Sequence, residues 1–158
     1  MSAGDPPPTA AAPPARQAAH RGATGAVIVF DGVCVLCNGW VRFLLARDRR
    51  QRYRFAPMQG DAGRALLMAH GLNPDDPVSF LLVEYDRGPV PRVSTESLAV
   101  LRVVAGLGGV WRLAAIARPV PPALRDRAYR VLARHRYRWF GRHQACVVPS
   151  AEHAGRFL

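Results

Sequence analysis

The chain has 158 residues, 49% of them apolar, a length and composition suited to one globular domain with its own core. Its 22 basic residues are all arginine, and the net charge of +11 is concentrated in the second half: from Arg87 onward there are 13 arginines and 3 acidic residues. Three cysteines exclude a secreted disulfide scaffold. The most apolar region, residues 97 to 117, is broken by Arg102 and Arg112, which excludes the run of about 20 apolar residues that a spanning helix requires.

Taken from the start, residues 1 to 25 are rich in alanine and proline and hold no secretory apolar segment. They read as a disordered leader, with an organellar transit peptide as the alternative. A single domain is expected from residue 26 to 158, with a core to about residue 107 and a helical extension beyond it. AVIVFD (26 to 31) is a continuous apolar, β-branched run, as in a buried strand. Gly32 breaks it. Leu36, Trp40, Phe43 and Leu44 then recur at helical spacing through VLCNGWVRFLLARD.

RYRFAPM (52 to 58) alternates like a strand, and GDAGRALLMAHG (60 to 71) predicts a helix closed by Gly71. SFLLVEY (79 to 85) and VPRVS (90 to 94) predict paired strands about a turn, and a helix follows from Glu96 to about Gly106. The order β-α-β-α-β-β-α is the thioredoxin architecture. After it come a short helix near VWRLAAIA and a longer one after PVPP, with Leu124, Ala128, Val131, Leu132 and His135 along one face.

Cys34 and Cys37 form a CxxC where the first strand hands over to the first helix. Thiol exchange proceeds through the thiolate, and the unpaired N–H groups and positive dipole end of a helix N-terminus lower a thiol's pKa. This position makes Cys34 the exposed nucleophile and Cys37 the resolving thiol. Asp31 is either a proton acceptor for Cys37 or a plain turn residue before Gly32. Val35 and Leu36, between the thiols, present an apolar surface to a substrate.

Asp31-Gly32-Val33-Cys34-Val35-Leu36-Cys37-Asn38 resembles the signature of the DCC family of predicted thiol-disulfide oxidoreductases, named for its Asp, Cys and Cys. Ser97-Leu98-Ala99 and Arg136-Tyr137-Arg138-Trp139-Phe140-Gly141, followed by Cys146 and Pro149, resemble later landmarks of that family. Leu98 stands where the family often has an acidic residue. The resemblance implies a thioredoxin-like fold, with Asp31, Cys34 and Cys37 as the site. Through thioredoxin-like proteins it also implies a cis-proline facing the thiols, a role that falls to Pro77.

Three other readings compete. Cys34, Cys37, His143 and Cys146 would make a zinc tetrahedron, although structural zinc sites place CxxC in a tight knuckle rather than on a strand-to-helix junction. The arginines and aromatics of RDRAYRVLARHRYRWFGRH would suit nucleic acid. The family landmark instead favours an amphipathic helix with Tyr129, Tyr137, Trp139 and Phe140 packed on the core. Residues 97 to 117, with their arginines, would suit peripheral contact with a membrane surface. VIVFDG also resembles a haloacid dehalogenase motif, but Val29 occupies the nucleophile's position. The expectation is a cytoplasmic thiol-disulfide oxidoreductase with no cofactor or metal, acting on a protein or small-molecule disulfide.

Overall fold

The structure, a computed structural model, describes residues 25–76, 80–85, 90–117, 119–144 and 150–158. The leader before Gly25, and Pro77, Cys146 and Pro149, lie outside the described residues. Four strands form one mixed sheet in the order β2-β1-β3-β4: β1 Ala26–Phe30, β2 Tyr53–Pro57, β3 Leu81–Glu84 and β4 Arg92–Thr95. β1 runs parallel to β2, with Ile28 opposite Phe55, and antiparallel to β3, with Ile28 opposite Leu82. β3 pairs antiparallel with β4. This is the thioredoxin-like arrangement that the element order predicts.

The central strand β1 reads as an unbroken apolar run because helices cover both faces of the sheet. Side chains alternate between those faces. Ala26, Ile28 and Phe30 meet Val41 and Leu44 of α1 (Val35–Arg47) and Ala99 and Val103 of α3 (Glu96–Gly106). Val27 and Val29 meet Leu66 and Leu67 of α2 (Asp61–Ala69) on the opposite face. α2 lies very close to the sheet: a Cβ on Gly63 would stand 2.1 Å from the Pro57 carbonyl oxygen.

After α3 the chain makes a 3-10 helix, Gly109–Ala117, and then α4, Pro122–Phe140, with proline in its first turn as expected. Gly141 ends α4 at φ +88°, a conformation open to glycine and unfavourable for other residues. The chain then turns back alongside residues 33 to 35.

Two details of α4 differ from expectation. The predicted apolar stripe is largely exposed (Leu124 60%, Val131 45%), and the buried residues are Ala133 and Arg136. Of the aromatics expected on the core, Tyr129 packs there, whereas Trp139 and Phe140 are exposed. Trp139 stacks on His135 instead.

The final turn, Ala151–Arg156, returns to the sheet, an element absent from the sequence reading. Phe157 bridges to Phe55 and its ring lies against Phe30 and Phe55, while Arg156 pairs with buried Asp48.

Candidate functional site

Phe30 ends β1 and Asp31-Gly32-Val33 turns the chain into α1, whose N-cap is Cys34. Asn38 is buried one turn in and donates from Nδ2 to the carbonyls of Gly32 (2.7 Å) and Cys34 (2.8 Å), fixing the turn. The Cys34 Sγ accepts the Cys37 backbone N–H at 3.4 Å, as an N-cap side chain does. The Cys37 thiol also hydrogen-bonds to the Cys34 sulfur, so the two side chains lie close together. Both cysteines are free thiols.

That geometry polarises the pair. The bond from the Cys37 thiol, with help from the Cys37 N–H and the Arg136 charge, outweighs burial and Asp31 to bring Cys34 down to about 6. Cys37 moves the other way, because its proton is held by the Cys34 sulfur and burial and the neighbouring thiolate both oppose its ionisation. The arrangement favours a thiolate at Cys34 and a protonated thiol at Cys37.

One expectation needs correction. Cys34 is not exposed; its relative exposure is 0%. Residues 141 to 143 run antiparallel to residues 33 to 35 and cover it: Arg142 bridges to Cys34, and the His143 N–H donates to the Val33 carbonyl at 2.8 Å. Cys37 is the more open of the two sulfurs.

Asp31 is buried beneath the thiols and fully engaged. It accepts from Arg136 Nη2 (2.8 Å), Gln59 Nε2 (2.7 Å), the Val33 N–H (3.2 Å) and the Tyr137 hydroxyl. Burial pushes its pKa up, but these four bonds, led by Tyr137 and Arg136, carry it below the usual carboxylate value. Asp31 is therefore more than a turn residue: it is a charged anchor that fixes Arg136 beside the thiols. Gln59 completes the turn by accepting the Gly32 N–H at 2.9 Å.

Sequence patterning gives Gln59 and Arg136 no task at the thiols and places Tyr137 only among the aromatics packed on the core. Arg136 and Tyr137 open the RYRWFG stretch, so their place was visible although their task was not. Nothing in the sequence marks Gln59.

A cavity of about 480 Å³ lies between α1, α3 and α4. Cys37 and Asp31 stand in its wall, with Leu36 and Trp40 from α1, Leu101 from α3 and Leu132 from α4 among its apolar lining. Leu36 thus faces this space, while Val35 is 36% exposed on the outer side. Among the described residues no group of three or more His, Cys, Asp or Glu side chains is placed to hold a metal. His143 is engaged through its backbone with Val33, and Cys146 lies outside the described residues.

The family model of DCC1-like thiol-disulfide oxidoreductases matches residues 28–142, which span Asp31, both thiols, Gln59, Arg136 and Tyr137. The chain belongs to that family. This DCC1-like protein is 39% identical over 132 residues to the uncharacterized protein YuxK of Bacillus subtilis, a match covering 84% of this chain and 93% of that one. It is also 39% identical over 123 residues to a chloroplastic DCC family protein of Arabidopsis thaliana, covering 77% of this chain and 69% of the relative. Neither relative's name states a substrate. No solved structure matches the chain.

Proposed function

We propose that this DCC1-like protein is a thiol-disulfide oxidoreductase whose Cys34–Cys37 pair cycles between dithiol and disulfide. The observation that carries this reading is the N-cap placement of Cys34, with Cys37 donating to its sulfur from both the backbone N–H and the thiol. A thiolate is the reactive form in exchange, and this site forms one near neutral pH.

In the forward direction the Cys34 thiolate attacks one sulfur of a substrate disulfide. A mixed disulfide forms, and the other substrate sulfur leaves as a thiolate that takes the Cys37 proton. The Cys37 thiolate then displaces the bound sulfur. The products are a Cys34–Cys37 disulfide and two substrate thiols, so two electrons pass to the substrate. Asp31 acts as a positioning residue: it fixes Arg136, whose charge favours the thiolate, although its own charge works against it. A cytoplasmic location suits this cycle, because the cytosolic thiol pool would return the pair to the dithiol form.

The test uses 2,2′-dithiodipyridine, a small neutral disulfide that releases a coloured thione, in a Cys146→Ser background. The Cys34/Cys37 protein should release two thiones and retain no adduct. Cys37→Ser should release one thione and keep a pyridyl adduct on Cys34. A protein that keeps adducts on both sulfurs and never closes the intramolecular disulfide would refute this function.

A further inference from the structure

Building on the exchange reading, we infer that the cavity between α1, α3 and α4 is the substrate site, and that it takes a compact small-molecule disulfide with an apolar body and a carboxylate. The first reason is access. Cys34 is closed off on the outside by residues 141 to 143, while Cys37 stands in the cavity wall, so the way to the pair is from the cavity. Cys34 does not itself line the cavity, so a disulfide seated there reaches it only when the Cys37 side chain moves aside to another staggered rotamer.

The second reason is size. At about 480 Å³ the cavity falls in the range that holds small ligands, about 300–1,000 Å³. A cystine within a folded protein would have to bring its backbone into the same apolar space.

The third reason is polarity. The walls are mainly apolar, but they carry buried donors without partners: Arg125 Nε and Nη1, Arg136 Nε and Trp40 Nε1. Among the described residues of the lining, the one carboxylate, Asp31, already accepts four hydrogen bonds, and the Ser97 hydroxyl donates to Asp126. A wall with unused donors and cationic groups selects a ligand that accepts hydrogen bonds and carries negative charge. Arg136 and Arg125 lie eleven residues apart on α4, about 16 Å along its axis. A disulfide held beside Cys37 and Arg136 therefore has room to extend an aliphatic acid chain toward Arg125.

The step balances as ordinary exchange. The Cys34 thiolate bonds to one substrate sulfur, the substrate S–S bond breaks, and the leaving sulfur takes the Cys37 proton. Closure of the Cys34–Cys37 disulfide then releases the second substrate sulfur, which takes a proton from water.

The test measures initial rates of Cys34–Cys37 oxidation in the full reduced chain, by alkylation and mass. The probes are lipoate (a dithiolane on an aliphatic acid chain), its neutral amide lipoamide, glutathione disulfide and insulin. Lipoate should react about tenfold faster than lipoamide, as expected for one charge-assisted hydrogen bond, and faster than glutathione disulfide or insulin. The lipoate-to-lipoamide ratio should fall toward one in Arg125→Gln and persist in Arg64→Gln, a distant arginine paired with Asp75. Equal rates for the two dithiolanes, survival of the ratio in Arg125→Gln, or insulin as the fastest probe would overturn this substrate assignment. Those outcomes leave the exchange chemistry standing, which fails only if 2,2′-dithiodipyridine also cannot close the pair.

Discussion

Arg136 and Asp31 form an ion pair with side chains 5% and 2% exposed, so neither can be lost alone without leaving the other charge buried. Arg136→Met should cost about 3–5 kcal/mol in denaturant unfolding, and much of that should return in the Asp31→Asn/Arg136→Met double variant, which removes both charges. In the same single variant the Cys34 thiolate absorbance should titrate at higher pH, because the Arg136 charge helps to hold that pKa down. A merely structural ion pair would leave the titration in place.

The thiol pair also gives stability a redox-dependent pH profile. Cys34 is held at about 6 in the folded state against about 8.5 for a free thiol, so the unfolded chain carries the extra proton between those values. The contribution is complete above the unfolded pKa and is lost as pH falls through about 6. Cys37, held above its unfolded value, works against stability only at higher pH. The urea midpoint of the dithiol form should therefore rise relative to the disulfide form from about pH 6 to pH 8. Parallel curves for the two forms would show that no thiolate is stabilised.

Among the elements, two helical glycines make opposite predictions. Gly63 sits where α2 meets β2, and a Cβ there would collide with the Pro57 carbonyl, so Gly63→Ala should destabilise by about 1–3 kcal/mol. Gly39 lies in mid-α1, and an added Cβ would have nothing within 4 Å, so Gly39→Ala should stabilise by about 0.5–1 kcal/mol. Thermal unfolding of both variants checks the seating of the two helices on opposite faces of the sheet.

The elements also show where the sequence was legible. β1 and α1 were, because a strand buried on both faces and a helix opening on CxxC leave strong local patterns. α4 was found, but its faces were misassigned. Periodicity shows that a helix is amphipathic without saying what meets it: Leu132 and Ala128 line a cavity rather than packed core. The burial of Arg136 leaves no local signal, because its partner, Asp31, lies 105 residues earlier. The closing turn at Phe157 leaves no periodic trace, being fixed by ring contacts with Phe30 and Phe55 and by the Leu158 N–H donating to the Phe55 carbonyl of β2.

At the scale of the whole molecule, the first strand, the first helix and the far end of the last long helix converge on two sulfur atoms. Residues from Asp31 to His143 are needed to assemble that one centre. Among the described residues no helix is long and apolar enough to cross a membrane. The whole-molecule claim is that folding couples Cys34 and Cys37 into a single redox unit. The direct measurement is a redox equilibrium titration of the full chain, read by alkylation and mass. Cys34 and Cys37 should convert together as a two-electron couple, a tenfold change in ratio for about 30 mV, while Cys146 stays alkylatable after denaturation throughout. Independent oxidation of the two cysteines, or stoichiometric zinc holding both reduced, would contradict the account.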